Sequence, residues 1–350
     1  MKIAILTSGG VDSSVALNLL AREGSHELEA FYLKIWLEEE LAHLGDCPWE
    51  TDLACVREIC EALDIPLRVV PLQTEYLERV VGHAISELEA GRTPSPDILC
   101  NQHIKFGAFF DAIDDDFDKV ATGHYARIEA QNGSSLLKRA PDPVKDQTYF
   151  LCTLSQQQLS RLLFPIGHLQ KSAVRQLADE FDLPNKHRKD SQGLCFLGKI
   201  KYAEFVKFHL GEKTGFIIEK ETDRRLGTHN GVWFHTIGQR QGLELGGGPW
   251  YVVAKDLAQN TLTVTHQDNL AVHECDAFTV GDINWLCRPP KTADLQLKIR
   301  HGPQLSSCRI ANLDNGRLHV EMAPADPGVA SGQSAVFYEG EICLGGGMIE

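Results

Sequence analysis

The first half of the chain alternates between short apolar runs of strand length and longer segments with helical spacing. Lys2–Thr7 predicts a strand, and Val11–Arg22 predicts a helix with Val11, Val15, Leu19 and Leu20 on one face. Leu28–Ile35, Leu67–Pro71 and Lys119–Thr122 read as further strands, and Asp52–Leu63, Tyr76–Ala90 and Ile104–Ile113 as helices. Strands separated by helices imply a doubly wound parallel sheet with helices on both sides. After about residue 205 the pattern changes to short alternating runs: Phe216–Ile218, Val232–Thr236, Tyr251–Asp256, Thr261–Thr265, Phe278–Ile283, Leu295–Ile299, Ser307–Ala311, Arg317–Glu321 and Ser334–Tyr338. Turn pairs such as Asn315-Gly316 and Glu339-Gly340 separate them, which predicts antiparallel sheet or small barrels. The fold class expected is therefore α/β plus β: a parallel-sheet domain over 1–205, a small β-rich domain over 206–268 and a β-barrel over 269–350.

A chain of 350 residues exceeds what one hydrophobic core usually supports, in keeping with that division. It has no run of eighteen apolar residues, so a membrane-spanning helix is not expected, and the start of the chain resembles neither a signal peptide nor a transit sequence. A cytoplasmic protein is the expectation. The net charge of −14 argues against a nucleic-acid partner, but the charge is uneven. Nine acids face one base between Glu38 and Asp64, whereas seven Lys and Arg face three acids between Lys186 and Lys213, which leaves room for a local basic face.

The strongest chemical signal is Ser8-Gly9-Gly10-Val11-Asp12-Ser13-Ser14, set between the first strand and first helix. Glycines permit a tight turn and close approach of a ligand, and the N–H groups at a helix start suit phosphate. The serines add hydroxyl donors, and Asp12 is placed to hold Mg2+ bridging phosphates. The plain alternative is a strand–turn–helix capped by Ser and Asp. A near match to a different phosphate loop, Gly193-Leu194-Cys195-Phe196-Leu197-Gly198-Lys199-Ile200, lacks the terminal hydroxyl and follows no strand, so it is set aside.

Ten cysteines include no Cys-x-x-Cys pair, so neither a zinc ribbon nor a thioredoxin-type site is signalled. Cys47, Cys55 and Cys60 cluster in sequence at spacings that fit no standard metal site. Two cysteines stand apart from any amphipathic stripe. Cys100 lies in Gly91-Arg92-Thr93-Pro94-Ser95-Pro96-Asp97-Ile98-Leu99-Cys100-Asn101. Cys195 lies in Lys189-Asp190-Ser191-Gln192-Gly193-Leu194-Cys195-Phe196, just after a basic stretch that favours thiolate. The other cysteines sit in apolar or strand-like contexts and read as buried and inert.

The Ser-Gly-Gly-Val-Asp-Ser run resembles the pyrophosphate loop of enzymes that split ATP to AMP and pyrophosphate. Taken with the two cysteine segments, Ala121–Arg127, Lys145–Gln147, Thr236–Arg240, Pro249–Val253 and Gly332–Tyr338, the chain resembles the tRNA-specific 2-thiouridylases, the MnmA family, along nearly its whole length. The segments Phe31–Trp36 and Asp46–Glu50 look like the variant of chlamydiae and plant plastids. The resemblance implies ATP along Leu6, Thr7, Ser8, Gly9, Gly10, Val11, Asp12 and Ser13, with further contacts from Leu33 (where the family often has Met) and Gly123. It implies tRNA contacts from Ser95, Pro96 and Asp97 at the target base, with Ser95 replacing the family's usual Asn. Further tRNA contacts are implied at His124, Lys145, Asp146, Gln147, Arg300, His301 (often Tyr in relatives) and Gln333. Catalysis is implied for Cys195 as persulfide carrier, Cys100 as the thiol that releases sulfur through a transient disulfide, and Asp97 as acid–base. A sulfur-relay protein would load Cys195, and the enzyme is expected to act as a monomer on the wobble uridine of tRNAs for Lys, Glu and Gln. Two other readings compete: a different adenylating enzyme with the same loop, which needs no cysteine pair, and a non-catalytic nucleotide- or tRNA-binding chain.

Overall fold

Strand β1 (Lys2–Leu6) alternates its side chains between two apolar layers. Ile3 and Ile5 pack in one core with Val15, Leu17 and Leu20 of α1 (Val11–Glu23), while Ala4 and Leu6 enter the opposite core. A period of two with both faces buried is what a central strand of a parallel sheet requires. The computed structural model describes residues 1–36, 49–190 and 201–350, so Cys47 and Cys195 lie outside the described residues.

In chain order, β2 (Glu27–Lys34) and α2 (Trp49–Ala62) precede β3 (Leu67–Pro71). Helix α3 (73–89) follows, with a π-helical turn at Leu77–Val81. Helix α4 (96–112) carries a longer π segment, Cys100–Ala108, and leads to β4 (Lys119–Ala121). A hairpin, β5 (Ala126–Gln131) and β6 (Ser134–Arg139), comes before the two-residue β7 (Leu162–Leu163). Helices α5 (Lys171–Glu180) and α6 (Tyr202–Leu210) then lead to β8 (Gly215–Glu219) and β9 (Arg225–His229). The remaining strands are β10 (Trp250–Asp256), β11 (Thr261–His266), β12 (Cys275–Trp285), β13 (Asp294–Lys298), β14 (Ser306–Asn312), β15 (Leu318–Asp326), β16 (Ser334–Glu339) and β17 (Ile342–Ile349).

The first sheet has the order β3-β2-β1-β4-β7, with every pairing parallel. The strand order reverses between β1 and β4, so a crevice opens at their C-terminal ends, where ligands bind in folds of this kind. Leu53, Val56 and Ile59 of α2 and Val174 and Ala178 of α5 join α1 on one face; Tyr76 and Val80 of α3 and Ile104 and Phe109 of α4 cover the other. A second sheet, β10-β11-β8-β9, forms the small central unit around Ile217, Val252, Leu262 and Val264. Its β11–β8 pairing is parallel, so it is not purely antiparallel.

The third sheet runs β12-β15-β14-β13-β16-β17 and closes through a β12–β17 pairing into a six-stranded barrel. Closure removes the open edges that a short strand array would otherwise expose. The hairpin β5–β6 adds to the outside of this barrel through Ile342↔Lys138 and Cys343↔Leu137, so a segment from the first half of the chain ties the two ends together. Two expectations are corrected. Val232–Thr236 is not a strand: Val232–Phe234 is a 3-10 turn after Gly231, whose φ is 147°. The helix expected from Ile104 begins eight residues earlier, at Pro96, which occupies its first turn where the missing N–H costs nothing.

Candidate functional site at the sheet crevice

The crevice is built by three backbone segments meeting at close range. Gly9, at φ 72°, lies so near α2 that an added Cβ would stand 2.8 Å from the Asp52 carbonyl oxygen. Gly123, just past β4, lies against the start of α1, where a Cβ would meet Ser13 N at 2.8 Å. Both positions therefore require glycine, one for conformation and space and the other for space alone. Gly10 caps α1 with extended backbone and no side-chain hydrogen bond, so the positive end of this helix is left for a ligand. Thr7 is fixed by its N–H and hydroxyl, which donate to the Phe31 carbonyl at 2.8 and 3.1 Å. Ser13 donates to the Gly10 carbonyl at 3.0 Å and accepts from Ser8 N–H at 3.2 Å, while Ser8 itself is exposed at the rim. Val11 is buried beneath the loop, and Leu33 is half-buried near the end of β2.

Ion pairs surround this loop. Asp12 Oδ1 accepts from the Tyr125 hydroxyl at 2.8 Å and from Lys171 Nζ at 2.7 Å. Burial and the neighbouring Asp12 hold the Tyr125 phenol far above its usual range, so it remains a donor. Lys171 also reaches Asp190 Oδ1 at 2.7 Å, and Asp190 is bound by Lys145 and Arg175 at 2.5 Å each. Burial opposes ionisation of Asp190, but these hydrogen bonds and charges outweigh it and bring the carboxyl down to about 2. Asn185 donates to the Gly9 carbonyl and to Ser14 Oγ, both at 2.9 Å. Arg188 bridges the Gly9 carbonyl at 3.2 Å and Asp52 at 2.6 Å. Asp190 and Tyr125 lie in segments that carry the family resemblance, but Lys171 and Asn185 give no local signal, because their partners are distant in the chain.

Helix α4 lines the same region from the other side. Phe106 packs on the His124 ring at 5.8 Å between centroids, and His124 follows Gly123 directly. His124 is buried between Phe106 and Phe164, bonds Thr122 Oγ1 at 2.6 Å, and is held neutral by burial and by Lys105. Its ring thus has a packing role in this structure, and it does not face outward. Cys100, one turn into α4, is buried with 1% exposure. Asp97 lies near Lys105 and His301; burial pushes its carboxyl upward and outweighs the opposing pull of these neighbours. Asn101 donates to the Phe150 carbonyl at 3.2 Å, while its Oδ1 is buried with no hydrogen-bond partner.

The loop before α4 touches both other domains. Thr93 N–H donates to Ser331 O at 2.8 Å, and Thr93 Oγ1 donates to Thr236 Oγ1 at 3.4 Å. Exposed His301 stacks on Phe150 at 4.7 Å and 22° and bonds the Asp146 carbonyl at 3.2 Å. Arg300 is exposed and pairs with Asp326. Gln333 is half-buried, with its N–H on the Ala330 carbonyl and its carbonyl bonded by Ile349 N–H. Ser95 and Asp97 are also half-buried, and Pro96 is buried in the first turn of α4. Gln147 accepts from Tyr125 N–H at 2.9 Å. Asp146, expected among the tRNA contacts, turns its side chain inward. Its carboxylate is fully buried, paired with Lys298 at 2.8 Å and bonded by the Thr148 hydroxyl at 2.8 Å. The segment Ser95–Asp97, the 145–147 turn and the Arg300-His301 pair thus surround one junction between the sheet domain and the barrel, next to the crevice.

Among the described residues no cluster of three or more His, Cys, Asp or Glu forms a metal site, and no helix is long and apolar enough to cross a membrane. Residues 1–199 match the family profile described as tRNA methyl transferase HUP domain, residues 203–266 the tRNA methyl transferase PRC-barrel domain, and residues 275–349 the aminomethyltransferase beta-barrel domain. Relatives span the whole chain. The tRNA-specific 2-thiouridylase MnmA 1 of Bacteroides thetaiotaomicron is 43% identical over 100% of this chain and 99% of its own length. The enzymes of the same name from Parabacteroides distasonis and Porphyromonas gingivalis are 42% and 43% identical, again over 100% of this chain and 99% of their own. With a parallel-sheet domain, a small central unit and a closed barrel all matched end to end by such relatives, the chain belongs to the tRNA-specific 2-thiouridylase family.

Proposed function

We infer that this protein replaces the 2-oxygen of a tRNA uridine with sulfur, spending ATP as AMP and pyrophosphate. The observation that carries the reading is the uncapped α1 start and its ring of cations, placed beside the helix that holds Asp97 and Cys100. The first feature suits phosphates and the second suits sulfur chemistry on a base.

In this reading ATP lies over 6–13, with Leu33 and Gly123 flanking the nucleotide. The donor set suits Mg2+ as part of an ATP complex: Asp12 supplies one hard oxygen at the loop, and the phosphates supply others. Bound there, Mg2+ would neutralise phosphate charge. The target base must leave its stack to be reached, and the junction of Ser95, Pro96, Asp97 and His301 is where it would enter. The uridine 2-oxygen attacks the α-phosphorus; a new P–O bond forms, the bond to the β-phosphate breaks, and its electron pair leaves with pyrophosphate. Asp97, with a raised pKa, takes the proton from uridine N3.

The terminal sulfur of a persulfide on Cys195 then attacks the activated carbon, and AMP departs with the former uridine oxygen. Cys100 attacks the Sγ of Cys195, the S–S bond to the base-linked sulfur breaks, and 2-thiouridine forms as N3 regains its proton. The Cys100–Cys195 disulfide must be reduced before another turnover.

Lys145, Gln147, Arg300, His301 and Gln333 are the side chains offered to tRNA, with the wobble position of tRNAs for Lys, Glu and Gln as the target. A persulfide-donating relay protein supplies sulfur. A reducing cytoplasm suits the thiol cycle, and a single copy carries every group required. Mass spectrometry of tRNA nucleosides after incubation with ATP, Mg2+ and a sulfur source tests the reading. A 2-thiouridine product that requires ATP supports it; unmodified uridine under conditions where tRNA binds overturns it.

A further inference from the structure

The mechanism above leaves Lys171 unused, although it sits at the centre of the ion pairs beside the loop. It is the first residue of α5, with its side chain 15% exposed. Its amide N–H donates to Asp142 Oδ2 at 3.0 Å, which fixes the backbone beneath it. Its ammonium bridges Asp12 and Asp190 at 2.7 Å each. Asp12 belongs to the first turn of α1, so this cation stands within one ion-pair length of the place where phosphates meet the helix.

We propose that Lys171 is a phosphate-binding residue for ATP, exchanging its contact with Asp12 for the triphosphate when the nucleotide enters. The proposal rests on the reading of this crevice as an ATP site and adds a residue to it. Charge explains why a cation is needed there. Lys145, Lys171, Arg175 and Arg188 face Asp12, Asp52, Asp142 and Asp190, four charges of each sign, so the cluster has no cation to spare. Without Lys171 the acids outnumber the bases, and Asp12 loses its ion-pair partner close to an incoming polyanion, while Asp190 keeps Lys145 and Arg175. With it, Asp12 gives up one partner and can turn to the metal that accompanies ATP, while Tyr125 still holds its carboxylate. Lysine suits this exchange, since a compact charge on a flexible stem can change partners without a fixed fork geometry.

The test compares Lys171→Gln, Lys171→Arg and a control, Lys186→Gln, whose ammonium pairs with exposed Asp182 and not with the acids beside the loop. Affinities for ATP–Mg and for adenosine are measured by competition on each protein, beside tRNA binding and tRNA-dependent AMP formation. Lys171→Gln is expected to weaken ATP on the order of ten- to a hundredfold, the range for one charged hydrogen bond, with adenosine unchanged. Lys171→Arg should recover part of the loss, and Lys186→Gln should match the parent protein. Equal losses for ATP and adenosine, or an ATP affinity within twofold of the parent, overturn the phosphate role. A parent protein that binds ATP but forms no AMP with tRNA would instead count against the thiolation reading and leave the binding comparison standing.

Discussion

The pair Lys298–Asp146 joins the barrel to the turn that carries Lys145 and Gln147, and its removal gives a worked prediction. Both side chains have 0% exposure and meet at 2.8 Å. Replacing Lys298 with Met leaves the Asp146 charge buried with Arg139 Nε at 3.3 Å and the Thr148 hydroxyl at 2.8 Å. Breaking one side of a buried pair costs about 3–5 kcal/mol, and these remaining donors place the expected loss near the lower end, about 3 kcal/mol. Lys298→Met with Asp146→Asn removes the stranded charge, so the double variant should lose clearly less than the sum of the single ones. Burial raises the Asp146 carboxyl, but Lys298 and Thr148 outweigh burial and hold it below the ordinary carboxylate range. A depressed folded-state pKa stabilises above the unfolded value, and that stability is lost as pH falls through the folded one. The gap between parent and Lys298→Met should therefore narrow in acid. Urea unfolding at several pH values measures all three effects. A loss under about 1 kcal/mol, or additive single and double variants, would refute the reasoning. Because the Asp146 carbonyl accepts from His301, tRNA affinity should fall in the same variant.

Other outcomes follow from the same geometry. Asp97→Asn should remove the acid limb of the pH–rate profile, a limb that lies above the ordinary carboxylate range because burial raises this group; an unchanged limb assigns it elsewhere. Gly9→Ala combines φ 72° with a Cβ 2.8 Å from Asp52 O, so ATP affinity should drop while tRNA binding persists, with strain of about 1–3 kcal/mol lowering stability; equilibrium binding and unfolding check both. Affinity for tRNA should fall steeply with salt as counterions are released, and a flat dependence measured by filter binding would count against phosphate contacts at Lys145 and Arg300.

Much of the sheet domain was legible because both faces of β1 are buried and α1 repeats its apolar positions on one side, signals local to each element. Leu67–Pro71 appears with the bounds its apolar run suggests. The start of α4 was hidden because Pro94-Ser95-Pro96 reads as a turn, while the fold uses Pro96 as a first-turn helix residue. The β5–β6 hairpin has a local signal in Asn132-Gly133, which both take positive φ, 51° and 78°, as a two-residue hairpin turn demands. Strand β17 could not be seen locally. Its Gly345-Gly346-Gly347 run looks like a loop, yet an added Cβ at Gly345 would lie 2.0 Å from Asn284 O and at Gly346 2.5 Å from Ala335 O. Those glycines let β17 fit between β12 and β16 and close the barrel, which only the neighbours reveal.

The site divides in the same way. The loop 8–14 announces itself because one contiguous run supplies turn, helix start and hydroxyls. The cations that complete it come from 145, 171, 175 and 188, brought together by tertiary packing. Asp146 and His124 stand among the tRNA contacts that the sequence suggests; in the fold the carboxylate of one forms a buried ion pair and the ring of the other packs among aromatic rings, arrangements set by tertiary neighbours.

The account depends on sulfur passing between Cys195 and Cys100. Peptide mass spectrometry after a single turnover, with persulfide-loaded enzyme, ATP, tRNA and no reductant, addresses that directly. The prediction is one Cys100–Cys195 disulfide per 2-thiouridine formed, with Cys195→Ser yielding neither product. Thiolated tRNA appearing while these two cysteines stay unlinked, or from the Cys195→Ser protein, would contradict it.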